Sequence, residues 1–231
     1  PPRYCRSAVI MKGKAMTETP VLYDYWRSSA SYRVRIALNL LGRTYEAVPV
    51  DLLAGAHRAS DYLAMNPQGI LPSLKLDGRH LTQSLAIIEY LHATTDGSSL
   101  LPNDPLGQFR VRQLSYAVAM EIHPVCNLSV ATHAANLTND ANAAQVDWMT
   151  HFIAKGLANL EVLLAQDARA TFSYGDTPTM ADCCLIPQLY NADRWGVDYS
   201  VHRRITQIAE ATQDISAFAD AHPDNVGPRA P

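Results

Sequence analysis

Residues 21–38 read Val21-Leu22-Tyr23-Asp24-Tyr25-Trp26-Arg27-Ser28-Ser29-Ala30-Ser31-Tyr32-Arg33-Val34-Arg35-Ile36-Ala37-Leu38. A β-prone run over 21–26 ends in an arginine and two serines, and a helical pattern starts at once. Ala30, Val34, Ala37 and Leu41 recur at helical spacing, with Ile36, Leu38 and Leu40 widening the apolar face. Serine hydroxyls therefore meet the free backbone N–H groups of a helix N-terminus, where negative charge is favoured. Such a junction suits a carboxylate, a phosphate or a thiolate. Serine there is also an ordinary helix cap.

Working outward, Gly42 closes the helix and residues 44–52 read as a second strand, which completes a βαβ unit. A polar connection, Gly55-Ala56-His57-Arg58, leads to a short helix over 60–65 that stops at Asn66-Pro67. Residues 71–82 read as a hairpin turning at Asp77-Gly78. Ser84 is the expected cap of a helix over 85–93. The order β-α-β-α-β-β-α makes residues 20–95 an α/β domain.

A polar stretch containing Gly and Pro separates this domain from the remainder, with residues 96–105 read as the linker. Residues 106–231 read as all-helical. Asp104-Pro105 opens a helix as cap and first residue, with Val111, Leu114, Val118 and Ile122 in one stripe. Pro124 is expected to kink or break it. Residues 136–142 read as loop. Val146, Met149, Ile153, Leu157, Leu160 and Leu164 mark a long amphipathic helix. Thr179-Met180-Ala181-Asp182 is a capping-box start, with Asp for Glu, of a helix closed by Gly196. A last helix spans 203–213, and the tail from His222 reads as irregular.

Hydrophobic residues are 48% of the 231 and charged ones 18%, so a sizeable core can form. A net charge of -3 gives no electrostatic case for nucleic acid or an anionic membrane. No apolar run approaches the roughly 20 residues of a membrane span. Cys5, Cys126, Cys183 and Cys184 show neither metal nor redox spacing and read as reduced thiols of a cytoplasmic protein. Residues 1–19 carry Arg3, Arg6, Lys12 and Lys14 with no acid before Glu18, and read as a disordered extension, a basic targeting arm being the alternative.

A small α/β domain, a linker and a helical domain together resemble a cytosolic glutathione transferase: a thioredoxin-like N-terminal domain followed by an all-α C-terminal one. The resemblance covers about residues 20–227. Arg27 to Leu38 is similar to the zeta-class motif Ser-Ser-Cys-x-Trp-Arg-Val-Arg-Ile-Ala-Leu. Asn66-Pro67-Gln68-Gly69 with Leu71-Pro72, Gln83-Ser84-Leu85-Ala86-Ile87-Ile88-Glu89-Tyr90-Leu91, Asn127-Leu128-Ser129-Val130 and the Gly175-Asp176 to Asp182 segment agree with it.

The resemblance implies glutathione as cofactor. It makes Ser28 the main activator of the glutathione thiol, Ser29 its neighbour, and Ala30, Ser31, Tyr32 and Arg33 the rest of the binding helix start. A free thiol has a pKa of about 8.5, which hydroxyl donors and a helix N-terminus lower. Ala30 stands where the motif carries Cys, so the stretch supplies no thiol of its own. Leu71, across an expected cis bond to Pro72, would pair its main chain with the cysteinyl residue. Gln83 and Ser84 would hold the γ-glutamyl carboxylate, and His57 the other end of the peptide, a solvated surface histidine being the alternative for His57. His123, Asn127, Leu128 and Ser129, read on the first long helix of the second domain, would face the cleft, a satisfied polar helix face being the alternative.

Arg27 and Arg194 are the cations for a small dicarboxylate substrate, since guanidinium meets carboxylate in a bidentate fork. For Arg194 the alternative is a surface ion pair with Asp193 or Asp198. Arg33 and Arg35 read as making structural or interface pairs. The activity implied is glutathione-dependent cis–trans isomerisation of 4-maleylacetoacetate, by thiolate addition, bond rotation and elimination, with Ser28, Ser29 and Arg194 catalytic. Leu128-Ser129 after Asn127 favours that substrate over maleylpyruvate, whose isomerases carry paired arginines there. Maleylpyruvate isomerisation, α-haloacid chemistry and a non-catalytic binding module stay open. A homodimer is implied; a metal is not.

Overall fold

The computed structural model describes residues 18–228. The expectation for residues 1–19 therefore falls almost entirely outside the described residues. Strand β1 (Val21–Asp24) is followed by α1 (Ser29–Leu40), β2 (Glu46–Pro49), a 3-10 turn (Ala56–Arg58), α2 (Ser60–Met65), β3 (Ser73–Leu76), β4 (Arg79–Thr82) and α3 (Ser84–Ala93). The order matches the β-α-β-α-β-β-α reading. The four strands form one mixed sheet in the order β2-β1-β3-β4. β1 runs parallel to β2, and the remaining pairs are antiparallel.

Alternation along β1 divides its two faces. Leu22 points into the main core beneath α1 and α3 and Asp24 is buried against Arg35 of α1, while Tyr23 packs on the other face with Val50, Tyr62 and Leu71, under α2. The hairpin turns where expected: Asp77 and Gly78 have φ of 50° and 71°, the left-handed pair a tight two-residue turn needs. β1 ends at Asp24, two residues before its expected end, because the chain folds into a turn with Ser28 N–H donating to the Tyr25 carbonyl at 2.8 Å.

All later elements among the described residues are helical: α4 (Pro105–Tyr116), a π-helical continuation (Ala117–Ile122), α5 (Leu128–Ala135), α6 (Ala141–Leu164), α7 (Met180–Arg194), α8 (Arg203–Gln213) and the short turns α9 (Ser216–Ala219) and α10 (Pro223–Val226). Asp104 caps α4 through the Gly107 N–H at 2.7 Å. Pro124 does more than stop this helix. Its ring crowds the carbonyl four residues back, at Met120, and the helix is already widened there, with His123 N–H reaching the Val118 carbonyl.

Asn127 lies beyond that break and caps α5, so it does not share a helix with His123. The tail is more ordered than expected, since His222 caps α10. α7 carries the capping box: Asp182 accepts the Thr179 N–H at 2.7 Å and the Ser173 N–H at 2.8 Å. α7 packs on both α1 and α4, and one continuous apolar core runs from Leu22 and Leu74 through Val34 and Ile88 to Val111, Leu157 and Cys183. No helix among the described residues is long and apolar enough to cross a membrane.

Candidate functional site

Strand register brings the site together. Tyr23 pairs with Ser73, Ser73 with Thr82, and Asp24 with Pro49. The ends of β1, β2 and β4 and the start of β3 therefore share one end of the sheet. Two helix starts, α1 at Ser29 and α3 at Ser84, open from that end with their positive dipole ends. Leu71 and Pro72 lie there too, joined by a cis peptide bond as expected.

Ser28 is the cap of α1, its oxygen accepting the Ser31 N–H at 3.2 Å. A hydroxyl that accepts one bond still has its own proton to donate. The N–H groups of Ser29 and Ala30, in the first helical turn, have no intrahelical acceptor. Capping and anion binding thus coexist. Ala30 and Ser31 are buried, so their contribution to a ligand is through the helix start. Tyr32 is turned away: its ring packs edge-on against Tyr190 and His222, with centroids 6.4 and 6.0 Å away, and burial raises its phenol pKa. Its side chain belongs to the seam between α1, α7 and the tail, which helical spacing alone does not show.

Arg35 fixes the turn before Ser28. It donates twice to Asp24 at 2.8 and 2.9 Å, to the Trp26 carbonyl at 3.0 Å and to the Ala221 carbonyl at 3.0 Å. The structural reading of Arg35 holds. Arg33 differs: it is buried, donates to Ser84 Oγ at 3.3 Å, and its Nε and Nη2 have no partner.

At the second helix start the cap is Gln83, not Ser84, which is the first residue of α3. Gln83 has φ of 69°, a left-handed value rare for a side-chain-bearing residue and costing about 1–3 kcal/mol. That backbone twist moves the helix start back by one residue. The Gln83 amide donates to Gln68 Oε1 at 2.8 Å. Near Leu71, the Ile70 carbonyl is held by the Tyr62 hydroxyl at 2.8 Å and Asn66 Nδ2 at 2.7 Å. Among the described residues nothing pairs with the Leu71 main chain itself. His57 sits in the 3-10 turn, half-buried, with Nδ1 unpartnered and its pKa lowered by burial and then by Arg58.

From the helical side, His123 stands near Arg33. Burial first, and the Arg33 charge second, push its pKa down to about 3, so it is neutral near pH 7. Asn127 and Ser129 satisfy one another: Asn127 Oδ1 accepts from Ser129 N at 3.0 Å and from its hydroxyl at 2.9 Å. Leu128 is exposed. These contacts form a local cap.

Arg27 is preset. Its guanidinium donates to the Tyr25 hydroxyl at 3.0 Å and lies 4.8 Å from the Trp26 ring centroid, a stacking distance that holds a cation over an aromatic face. Arg194 ends α7 and makes neither expected ion pair. Asp193 instead accepts from the Tyr199 hydroxyl at 3.3 Å and Asp198 from Ser200 N–H at 2.8 Å. Arg194 is exposed at the helix end, where partial desolvation, then the charge of Arg27, lowers its pKa, so the two guanidiniums share one neighbourhood. Beside Arg27 lies a cavity of about 330 Å³, walled by Trp26, Val50, Leu53 and Val226. Sequence reasoning missed Tyr25 and Trp26 as holders of Arg27; their adjacency to it was the available signal.

These features suit a peptide ligand. A capped helix start favours a thiolate, an unpaired Leu71 main chain suits an extended peptide, and the unpartnered Arg33 nitrogens behind Ser84 favour a carboxylate at α3.

Comparison with known proteins agrees. The model of the glutathione S-transferase N-terminal domain matches residues 18–93. A maleylacetoacetate isomerase of Rhizobium meliloti strain 1021 is 57% identical over 213 residues, covering 92% of this chain and all of the relative. The holo structure of a maleylpyruvate isomerase, described as a bacterial zeta-class glutathione transferase, superposes with a TM-score of 0.86 at 38% identity, over 91% of this chain and 100% of that one. A maleylacetoacetate isomerase of Anaeromyxobacter dehalogenans 2CP-1, with dicarboxyethyl glutathione and citrate bound in its active site, superposes at 0.81 with 40% identity, over 92% and 98%. The chain belongs to the glutathione transferase family and, within it, to the zeta class that includes the maleylacetoacetate isomerases.

Proposed function

We propose that this chain is a glutathione-dependent isomerase that converts 4-maleylacetoacetate to 4-fumarylacetoacetate, a step of phenylalanine and tyrosine breakdown. The observation that carries the reading is one sheet end holding both a hydroxyl-capped helix start and, beside it, the Arg27 guanidinium fixed by Tyr25 and Trp26. The 57% identity to a maleylacetoacetate isomerase supports the choice of substrate.

Glutathione, when bound, supplies the thiolate that adds to the substrate's double bond, allows rotation and leaves again. The chain's own residues do the rest. Ser28 donates its free hydroxyl proton toward the sulfur, and the first N–H groups of α1 add their positive field, which together lower the thiol pKa. Gln83 and Ser84 hold the γ-glutamyl carboxylate, and Leu71 aligns the peptide backbone. Arg27, fixed by Tyr25 and Trp26, acts with Arg194 on one carboxylate of the substrate, a reading supported by the reach of the Arg27 charge to Arg194. A preset cation loses little freedom on binding.

A second reading, maleylpyruvate isomerisation, is favoured by the TM-score of 0.86 to an isomerase of that substrate. Absorbance assays of both substrates with the purified chain separate the two. Faster turnover of maleylacetoacetate is expected, and turnover of maleylpyruvate alone overturns the choice.

The chain is further proposed to work as a cytoplasmic homodimer. Leu106, Phe109, Tyr116 and Met120 form an exposed apolar stripe along α4 and its continuation, 75, 60, 37 and 60% exposed. Contiguous exposed apolar surface of this kind marks an interface, and sedimentation at the mass of two chains is the expected result.

A further inference from the structure

Arg33 is 2% exposed, yet among the described residues the only bond of its guanidinium is Nη1 to Ser84 Oγ at 3.3 Å. Its Nε and Nη2 are buried without partners. Arg35, two residues on in the same helix, shows the contrast. It is 0% exposed and its charge meets the Asp24 carboxylate at 2.8 Å. Among the described residues no carboxylate forms an ion pair with Arg33. Nor do its other neighbours supply negative charge. His123 is neutral, and burial holds the Cys184 thiol above its usual range even with Arg33 opposing. An arginine cannot escape by losing its proton. A buried cation without a counter-charge is costly and calls for an anion close by.

The Ser84 hydroxyl shows where that anion sits. Arg33 occupies a lone pair of Oγ as donor, so the single Ser84 proton is turned away from Arg33. Ser84 is the first residue of α3, a ten-residue helix whose opening N–H groups have no helical acceptors. An anion there receives the Ser84 proton, the helix N–H groups, and the field of a cation one hydroxyl behind.

We propose that Arg33 is a positioning residue for the α-carboxylate of a bound γ-glutamyl peptide at the start of α3, acting through Ser84 without touching the ligand. This rests on the reading that glutathione places that carboxylate at Gln83 and Ser84, and it assigns Arg33 the counter-charge the site otherwise lacks. It also gives Arg33 a role in ligand selection rather than in fold stability.

The test uses calorimetry and thermal melting of the full chain with two peptides: glutathione, and 4-aminobutyryl-cysteinyl-glycine, which lacks only that carboxylate. Arg33→Met is expected to weaken glutathione binding by roughly 10- to 100-fold, because the bound carboxylate loses its buried counter-charge one hydroxyl away. The analogue is expected to change less than about twofold. Without ligand, Arg33→Met melts at or above the temperature of the parent chain, since an unpaired buried cation has been removed. Arg33→Lys, which keeps a charge, is expected to recover part of the preference for glutathione, and an Arg33→Met that does not fold counts with one that melts lower. Equal loss for both peptides, or an unliganded Arg33→Met that melts lower, overturns the proposal in favour of a structural role. If the parent chain itself binds both peptides equally, the carboxylate is not at α3, and the failure lies in that earlier reading instead.

Discussion

Arg35 and Asp24 form a buried bidentate ion pair, with both carboxylate oxygens within 2.9 Å of one guanidinium nitrogen. The same arginine reaches the Trp26 and Ala221 carbonyls. One side chain therefore ties the last residue of β1, the turn that presents Arg27 and Ser28, and the C-terminal segment. Arg35→Met leaves Asp24 buried and unpaired, and is expected to destabilise the chain by about 3–5 kcal/mol. Urea unfolding of the variant checks this; a loss under about 1 kcal/mol would show that the pair is dispensable.

Ser28 has two separable duties. Ser28→Ala removes the α1 cap, worth about 1 kcal/mol of stability, and the thiol-facing hydroxyl, worth about 100-fold or more in kcat/KM. The acid limb of the pH–rate profile moves upward, toward the free-thiol value of about 8.5. Ultraviolet titration of bound thiolate, beside a melting curve, resolves the two effects. Full activity in a destabilised variant would reduce Ser28 to a cap.

If Arg27 and Arg194 act on one carboxylate, their losses do not add. Arg27→Met and Arg194→Met are each expected to raise KM by about tenfold or more, and the double variant by clearly less than the product of the two. Steady-state kinetics of the four proteins provides the cycle. Independent, multiplicative effects would place the guanidiniums on separate groups.

His123 predicts part of the acid sensitivity. Its pKa is pushed down to about 3 in the folded chain, against 6.5 for a free imidazole. Between those values the unfolded chain binds the extra proton. The neutral form therefore supports the fold fully above about pH 6.5, and that support is lost as pH falls toward 3. The slope approaches about 1.4 kcal/mol per pH unit. His123→Gln should flatten the fall in urea midpoint between pH 7 and pH 5; an unchanged slope would assign it to other groups.

Gly156 gives a check on packing alone. A Cβ there would lie 2.4 Å from Ile122 Cγ1, so α6 meets the π-helical segment at its backbone. Gly156→Ala is expected to destabilise by about 1–3 kcal/mol while leaving KM for glutathione unchanged at low temperature. Retained stability would mean that Ile122 can move aside.

The legible parts of the fold are those with local causes. The period-2 and period-3.6 patterns, the Asp77-Gly78 turn, the Asp104-Pro105 start and the capping box of α7 each depend on neighbours in the chain, and each is where the sequence places it. Gln83 and Ser84 differ because a positive φ at a glutamine is imposed by tertiary context, against its intrinsic preference. The widened turn before Pro124 and the separate helix after Asn127 arise where local breakers compete with packing on α6. In the site, the motif marks Ser28 and Arg27 directly. The opposite fates of Arg33 and Arg35 are not written in their shared helix. They depend on Asp24 and Ala221 for one and on Ser84 for the other, partners up to 186 positions apart.

The most direct test of the central claim follows maleylacetoacetate by absorbance while reduced glutathione is titrated and recovered. Rapid conversion to the trans isomer, saturable in glutathione and with all glutathione returned unchanged, is the predicted result. Conversion at the same rate without glutathione, or stoichiometric loss of the free thiol, would contradict it.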